Sequence, residues 1–148
     1  ASAKRENTRL IAVVMGTRSD EARARETQKL LGYGFRYFET YKLYSAGDVL
    51  ATEKLWLGKQ DTVDLVLGAD LYMTLPRGSK DDLTAEVVTP DYPEAPLAMG
   101  EKVGTLTLKM GDDVMAEHAL VAATDIDESG FLGRFFGSIK LFFVRLFA

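Results

Sequence analysis

The chain has no cysteine, a single histidine, no secretory leader at its start and no acidic residue in its last eighteen positions. Lack of cysteine removes disulfides, thiolate catalysis and thiolate metal sites, and leaves the redox compartment open. With His118 alone and no thiol, a metal centre or histidine general base has too few ligands or partners; the residue reads as a half-exposed strand histidine. Ala1-Ser2-Ala3-Lys4-Arg5-Glu6 holds no apolar core of signal-peptide length, so an export signal, if one is used, is expected outside this sequence. No internal repeat or low-complexity segment is present.

What is present suits one sizeable core plus attached elements: 148 residues, 47% hydrophobic and 27% charged. The net charge of −4 conceals a division along the chain, +3 over residues 1–40, −10 over 41–130 and +3 over 131–148. An acidic middle repels phosphate and excludes nucleic acid as its partner.

Thr8 to Gly16, TRLIAVVMG, reads as a strand buried on both faces. Thr17 and Ser19 offer N-cap oxygens ahead of Asp20 and Glu21. Ala22 to Phe38 then follows helical spacing, with Leu30, Leu31, Gly34, Phe35 and Phe38 as the apolar face. One strand and one helix cannot bury these surfaces alone, so residues 1–40 are expected to be the end of a larger domain. From Tyr41 short strand candidates recur between turn residues, the pattern of an all-β sandwich or barrel. They are Val49–Leu57, Thr62–Leu67, Leu71–Leu75, Leu83–Val88, Lys102–Met110 and Val114–Val121, with hairpin turns at Gly58–Asp61 and Gly111–Asp113. Residues 41–129 form this β domain, and the acidic stretch Asp125–Gly130 reads as a short linker to residues 130–148.

The tail FLGRFFGSIKLFFVRLFA separates on a helical wheel. Phe142, Phe135, Leu146, Ile139, Leu132, Phe143, Phe136 and Phe147 fill one arc of about 140°. Arg134, Gly137, Ser138 and Arg145 lie opposite, Lys140 sits at the border, and Leu141 interrupts the polar side. Eighteen residues reach only about 27 Å, short of a hydrocarbon core of about 30 Å. Lys140 near the middle of a span would add about 2.5–3.5 kcal/mol. The expectation is a helix lying in the interface of an anionic membrane, with Leu132, Arg134, Phe135, Phe136, Ile139, Lys140, Phe142, Phe143, Arg145, Leu146 and Phe147 as its membrane-binding residues. The alternative for this segment is a core helix packed on the β domain. Gly133-Arg134-Phe135-Phe136-Gly137 matches GxxxG, a membrane-helix packing motif with no role in a helix that does not span.

Chemistry is sparse. Asp81-Asp82 and Asp112-Asp113 read as solvated turn acids. Pro96 to Leu106 is similar to the hairpin of biotinyl and lipoyl carrier domains, which would put Lys109 at a modified tip, but the Met-Lys-Met tip of biotinyl carriers is absent. The hallmarks of serine acyl transfer in penicillin-recognising enzymes, S-x-x-K, S-x-N and K-T-G, do not occur. Ser2 has Arg5 three places on, and Lys102-Val103-Gly104 has valine where threonine is needed.

Four stretches, RLIAVVMGT with the helix ending KLLGYGFRYFET, then LYMTLPRGSKDDL, APLAMGEKVGTLTL and GFLGRFFGSIKLFF, together resemble the carboxy-terminal part of low-molecular-mass penicillin-binding proteins of the D-alanyl-D-alanine carboxypeptidase type. Their order and spacing match along essentially the whole chain. The resemblance implies a mainly β protein: a C-terminal antiparallel β-sandwich domain, preceded by the last strand and helix of a transpeptidase-like α/β domain and followed by an amphipathic anchor helix. It implies a parent enzyme that trims the terminal D-alanine from peptidoglycan pentapeptides through a serine acyl-enzyme, without metal or cofactor, on the periplasmic face of the bacterial inner membrane. Peptidoglycan would then be the partner of the catalytic part, and other cell-wall proteins are candidate partners of the β domain. No catalytic residue carries over, because all three motifs would lie upstream of Ala1. The competing class is a non-enzymatic, membrane-tethered β-sandwich module that binds a protein; the coding sequence just before Ala1 would separate the two.

Overall fold

The computed structural model describes residues 1–130 and 138–145. They form two compact units, one of Ala1–Leu43 with Tyr72–Leu83, the other of Tyr44–Leu71 with the chain from Thr84 onward.

In the first unit β1 (Ser2–Arg5) and β2 (Thr8–Ile11) make an antiparallel hairpin in which Ser2 faces Ile11 and Arg5 faces Thr8. The long buried strand expected over Thr8–Gly16 is therefore only four residues long. From its last residue onward Ile11, Val13 and Met15 alternate outward at 75%, 72% and 85% exposure. Helix α1 (Asp20–Tyr37) starts where its cap chemistry sits: the Ala22 amide donates to Ser19 Oγ at 3.2 Å, and Asp20 and Glu21 face the positive helix end. Its apolar face is narrower than the spacing suggests, since Phe35 is buried under the Arg5 guanidinium, 4.6 Å from the ring centre, while Leu30 is half exposed. The helix meets the hairpin at Gly34, where a Cβ would stand 2.5 Å from Leu10 Cδ1.

Without any breaker residue, α1 runs straight into β3 (Phe38–Tyr44), which pairs with β6 (Leu71–Pro76) in a two-stranded sheet. Sequence spacing had no strand here. Arg77 holds the junction, its backbone amide donating to the Tyr37 carbonyl and its guanidinium to Glu39 Oε2 at 3.0 Å and to the Phe35 carbonyl at 3.2 Å.

The second unit is built on a five-stranded sheet in the order β4 (Val49–Lys54), β5 (Thr62–Leu67), β9 (Asp113–Ala122), β8 (Lys102–Met110), β7 (Leu83–Val88). The β4–β5, β5–β9 and β8–β9 pairs are antiparallel, and both predicted hairpin turns join the strands expected. On β8, Leu106 and Leu108 point into a core shared with Val63, Leu65 and Leu120, while Thr107 is buried on the other face. Gly104 lets β8 approach its neighbour, because a Cβ there would come within 3.0 Å of the Val88 carbonyl.

Facing segments are tied by single bridges rather than full strands: Trp56 with Glu94, Leu97 with Ile126, and Gly58 with Glu128. The stretch Asp125–Gly130 is consequently no free linker. Ile126 is 2% exposed and exchanges two backbone hydrogen bonds with Leu97, at 2.8 and 3.0 Å, because one apolar residue within the acidic run reaches the core. Beyond it, residues 138–145 form helix α2.

Candidate membrane-facing site

Helix α2 has two different faces. Leu141 is 5% exposed, whereas Ile139, Phe142 and Phe143 are 42%, 63% and 52% exposed. At about 100° per residue Ile139 and Phe143 stand roughly opposite Leu141, and Arg145, four positions on, shares Leu141's side.

That inner side rests on a seat in the same unit. Arg145 Nη2 donates to Glu94 Oε1 at 2.6 Å, and its guanidinium lies 5.2 Å from the centre of the Tyr92 ring. Tyr92 meets Trp56 edge-on at 6.3 Å, and Lys54 covers the indole at 4.3 Å. Trp56 is fixed in turn, its amide donating to the Pro93 carbonyl and its carbonyl accepting from Ala95, both at 2.9 Å. Beside it Leu57 adopts φ +62°, a left-handed conformation that is rare for leucine, and its carbonyl accepts from the Ser129 amide at 2.8 Å. Lys59 Nζ binds Asp127 Oδ2 at 2.8 Å, and that hydrogen bond, helped by the lysine's charge, holds the Asp127 carboxyl below its ordinary range. The chain entering α2 is thus pinned at residues 126–129.

Of the expected membrane-binding residues, Ile139, Lys140, Phe142 and Phe143 lie exposed on α2, and Arg145 is engaged with Glu94 and Tyr92. Leu132, Arg134, Phe135, Phe136, Leu146 and Phe147 lie outside the described residues. Sequence reasoning offered a helix packed on the β domain only as the alternative for this segment and did not name the seat. Its signal was Leu141, the apolar interruption of the polar side, with a base four residues later.

Elsewhere the chemistry stays plain. His118 is half-buried opposite Leu106, Asp81-Asp82 are exposed in a one-turn 3-10 helix and Asp112-Asp113 at the start of β9, and Lys109 Nζ is ion-paired with Glu86 rather than free at a hairpin tip. Among the described residues no group of three or more His, Asp or Glu could hold a metal ion, and no helix is long and apolar enough to cross a membrane. An open cleft of about 860 Å³ lies in the first unit between the β1–β2 hairpin and α1, lined by Ala12, Val13, Leu31 and Phe35 among others.

A mainly β chain of antiparallel sheets with a short helical tail defines a structural class, and comparison narrows it. The profile of the family "Penicillin-binding protein 5, C-terminal domain" matches residues 38–128, and the chain belongs to that family. It is 37% identical to the D-alanyl-D-alanine carboxypeptidase DacA of Escherichia coli, over 99% of this chain and 37% of the relative, and 33% identical to DacF of Bacillus subtilis, over 89% of this chain and 34% of the relative. Among solved structures, penicillin binding protein 5 from Haemophilus influenzae superposes with a TM-score of 0.79 at 32% identity, covering 86% of this chain and 38% of that one. The chain therefore spans little more than a third of the length of the relatives it matches.

Proposed function

We propose that this chain is the C-terminal portion of a serine-type D-alanyl-D-alanine carboxypeptidase that trims peptidoglycan pentapeptides at the periplasmic face of the bacterial inner membrane. Its share of the work is to position and anchor the enzyme at the membrane; it carries none of the catalytic motifs. The observation that carries this reading is the outward row of Ile139, Phe142 and Phe143 on α2, in a chain whose relatives are named as carboxypeptidases. The apolar arc enters the headgroup boundary, and Lys140 on its flank meets anionic headgroups.

The first unit fits the end of a transpeptidase-like domain. Ile11, Val13 and Met15 offer apolar surface beside an open cleft, which is what a strand looks like when the sheet it belongs to is not alongside. The β domain then serves as a stalk, and its acidic surface, repelled by anionic lipid, keeps the body off the bilayer. The division of labour is tested with fluorescent penicillin, which is expected to leave the 148-residue chain unlabelled. Covalent labelling of this chain would overturn it.

A further inference from the structure

An anchor reached through a free linker would leave the β domain to tumble above the membrane. In this structure the helix face turned away from the exposed aromatics is seated at Leu141, with Arg145 half exposed at its edge. Leu141 is buried against the domain, Arg145 bridges to Glu94 and covers Tyr92, and the entering chain is pinned through Ile126, Ser129 and the Lys59–Asp127 pair. Leu57, Glu94, Ser138, Leu141, Phe142 and Arg145 enclose one small cavity of about 270 Å³ along this seam, and Lys140 shares a second with Trp56 and Leu57.

We propose that Leu141 and Arg145 form a clasp that locks α2 to the Trp56–Tyr92–Glu94 seat, so that this edge of the β domain is held at the lipid surface in one orientation. The inference rests on the anchoring function proposed above and adds a fixed geometry to it. The partner of the outer face is an anionic lipid surface. Ile139 and Phe143 point away from the seat, Lys140 is exposed at their flank, and the seat's acid, Glu94, is paired with Arg145 instead of being left to repel lipid phosphate. Arg145 accordingly works as a positioning residue, its charge committed inward.

The chain supplies its own reporters, having one tryptophan in the seat and no cysteine. A bimane fluorophore on Lys140→Cys in the full chain would be quenched by Trp56 when α2 is seated. The expected result is emission at least twofold dimmer than in the Trp56→Phe companion, both in solution and on vesicles of phosphatidylethanolamine with phosphatidylglycerol. Glu94→Arg should restore brightness, and adding Arg145→Glu should bring back at least half of the quenching. Because Trp56 is buried, the exposed-site substitution Glu94→Arg carries the test if Trp56→Phe fails to fold. Unchanged brightness in Glu94→Arg, or quenching that disappears when vesicles bind, would overturn the clasp. Pelleting of the unlabelled chain with the same vesicles reads the anchor separately: a quenched chain that does not pellet keeps the clasp and removes lipid as its partner.

Discussion

Replacing Phe142 and Phe143 together by serine should weaken membrane partitioning about a hundredfold. The two side chains are 63% and 52% exposed, and aromatic residues of this size present about 200 Å² each. Their free surface is then roughly 230 Å², and at ~25 cal/mol per Å² its complete removal from water is a gain of about 6 kcal/mol. A helix lying in the headgroup boundary embeds about half of that surface, which leaves about 3 kcal/mol, or two decades in the partition coefficient. Charge is the smaller term, since Lys140 gains about 1 kcal/mol near anionic lipid and Arg145 is already paired with Glu94. The assay is a vesicle titration at low and moderate salt, read by sedimentation. Partitioning that is unchanged in the double variant but falls steeply with salt would refute the reasoning, because lysine and arginine would then be carrying the attachment.

Other consequences concern the body of the protein. Leu106→Ala should destabilise the second unit by about 2–5 kcal/mol, seen as a lower urea midpoint, because the side chain is 1% exposed and its removal leaves a cavity in the core. Asp127, held below its ordinary value by Lys59, contributes stability that is fully present above the unfolded carboxylate pKa and is lost as pH falls through the lowered one. An acid titration followed by circular dichroism should therefore show Lys59→Met flattening the loss of stability below about pH 4.

Where local chemistry decides structure, the sequence was legible. Strands β5, β7 and β8 fall on the residues their alternation marks, and Gly58–Asp61 and Gly111–Asp113 turn where glycine and aspartate permit it. Strand β3 was not legible, because Phe38–Tyr44 continues from a helix with no glycine or proline between them and pairs with β6 across a long separation. The bridges Trp56 to Glu94 and Leu97 to Ile126 are also long-range, so Asp125–Gly130 looked like a linker until its isoleucine met a core. The tail divided the same way. On a wheel Ile139, Phe142 and Phe143 share one arc, and all three are exposed on α2, but the wheel treats the other side as wet, and Glu94, the partner of Arg145 on that side, lies 51 residues away in sequence.

The most direct test of the anchoring account is co-sedimentation of the 148-residue chain and of residues 1–130 with vesicles containing phosphatidylglycerol. The account predicts that the full chain pellets with the vesicles and that the shortened one stays in the supernatant. Equal pelleting of both, or of neither, would contradict it.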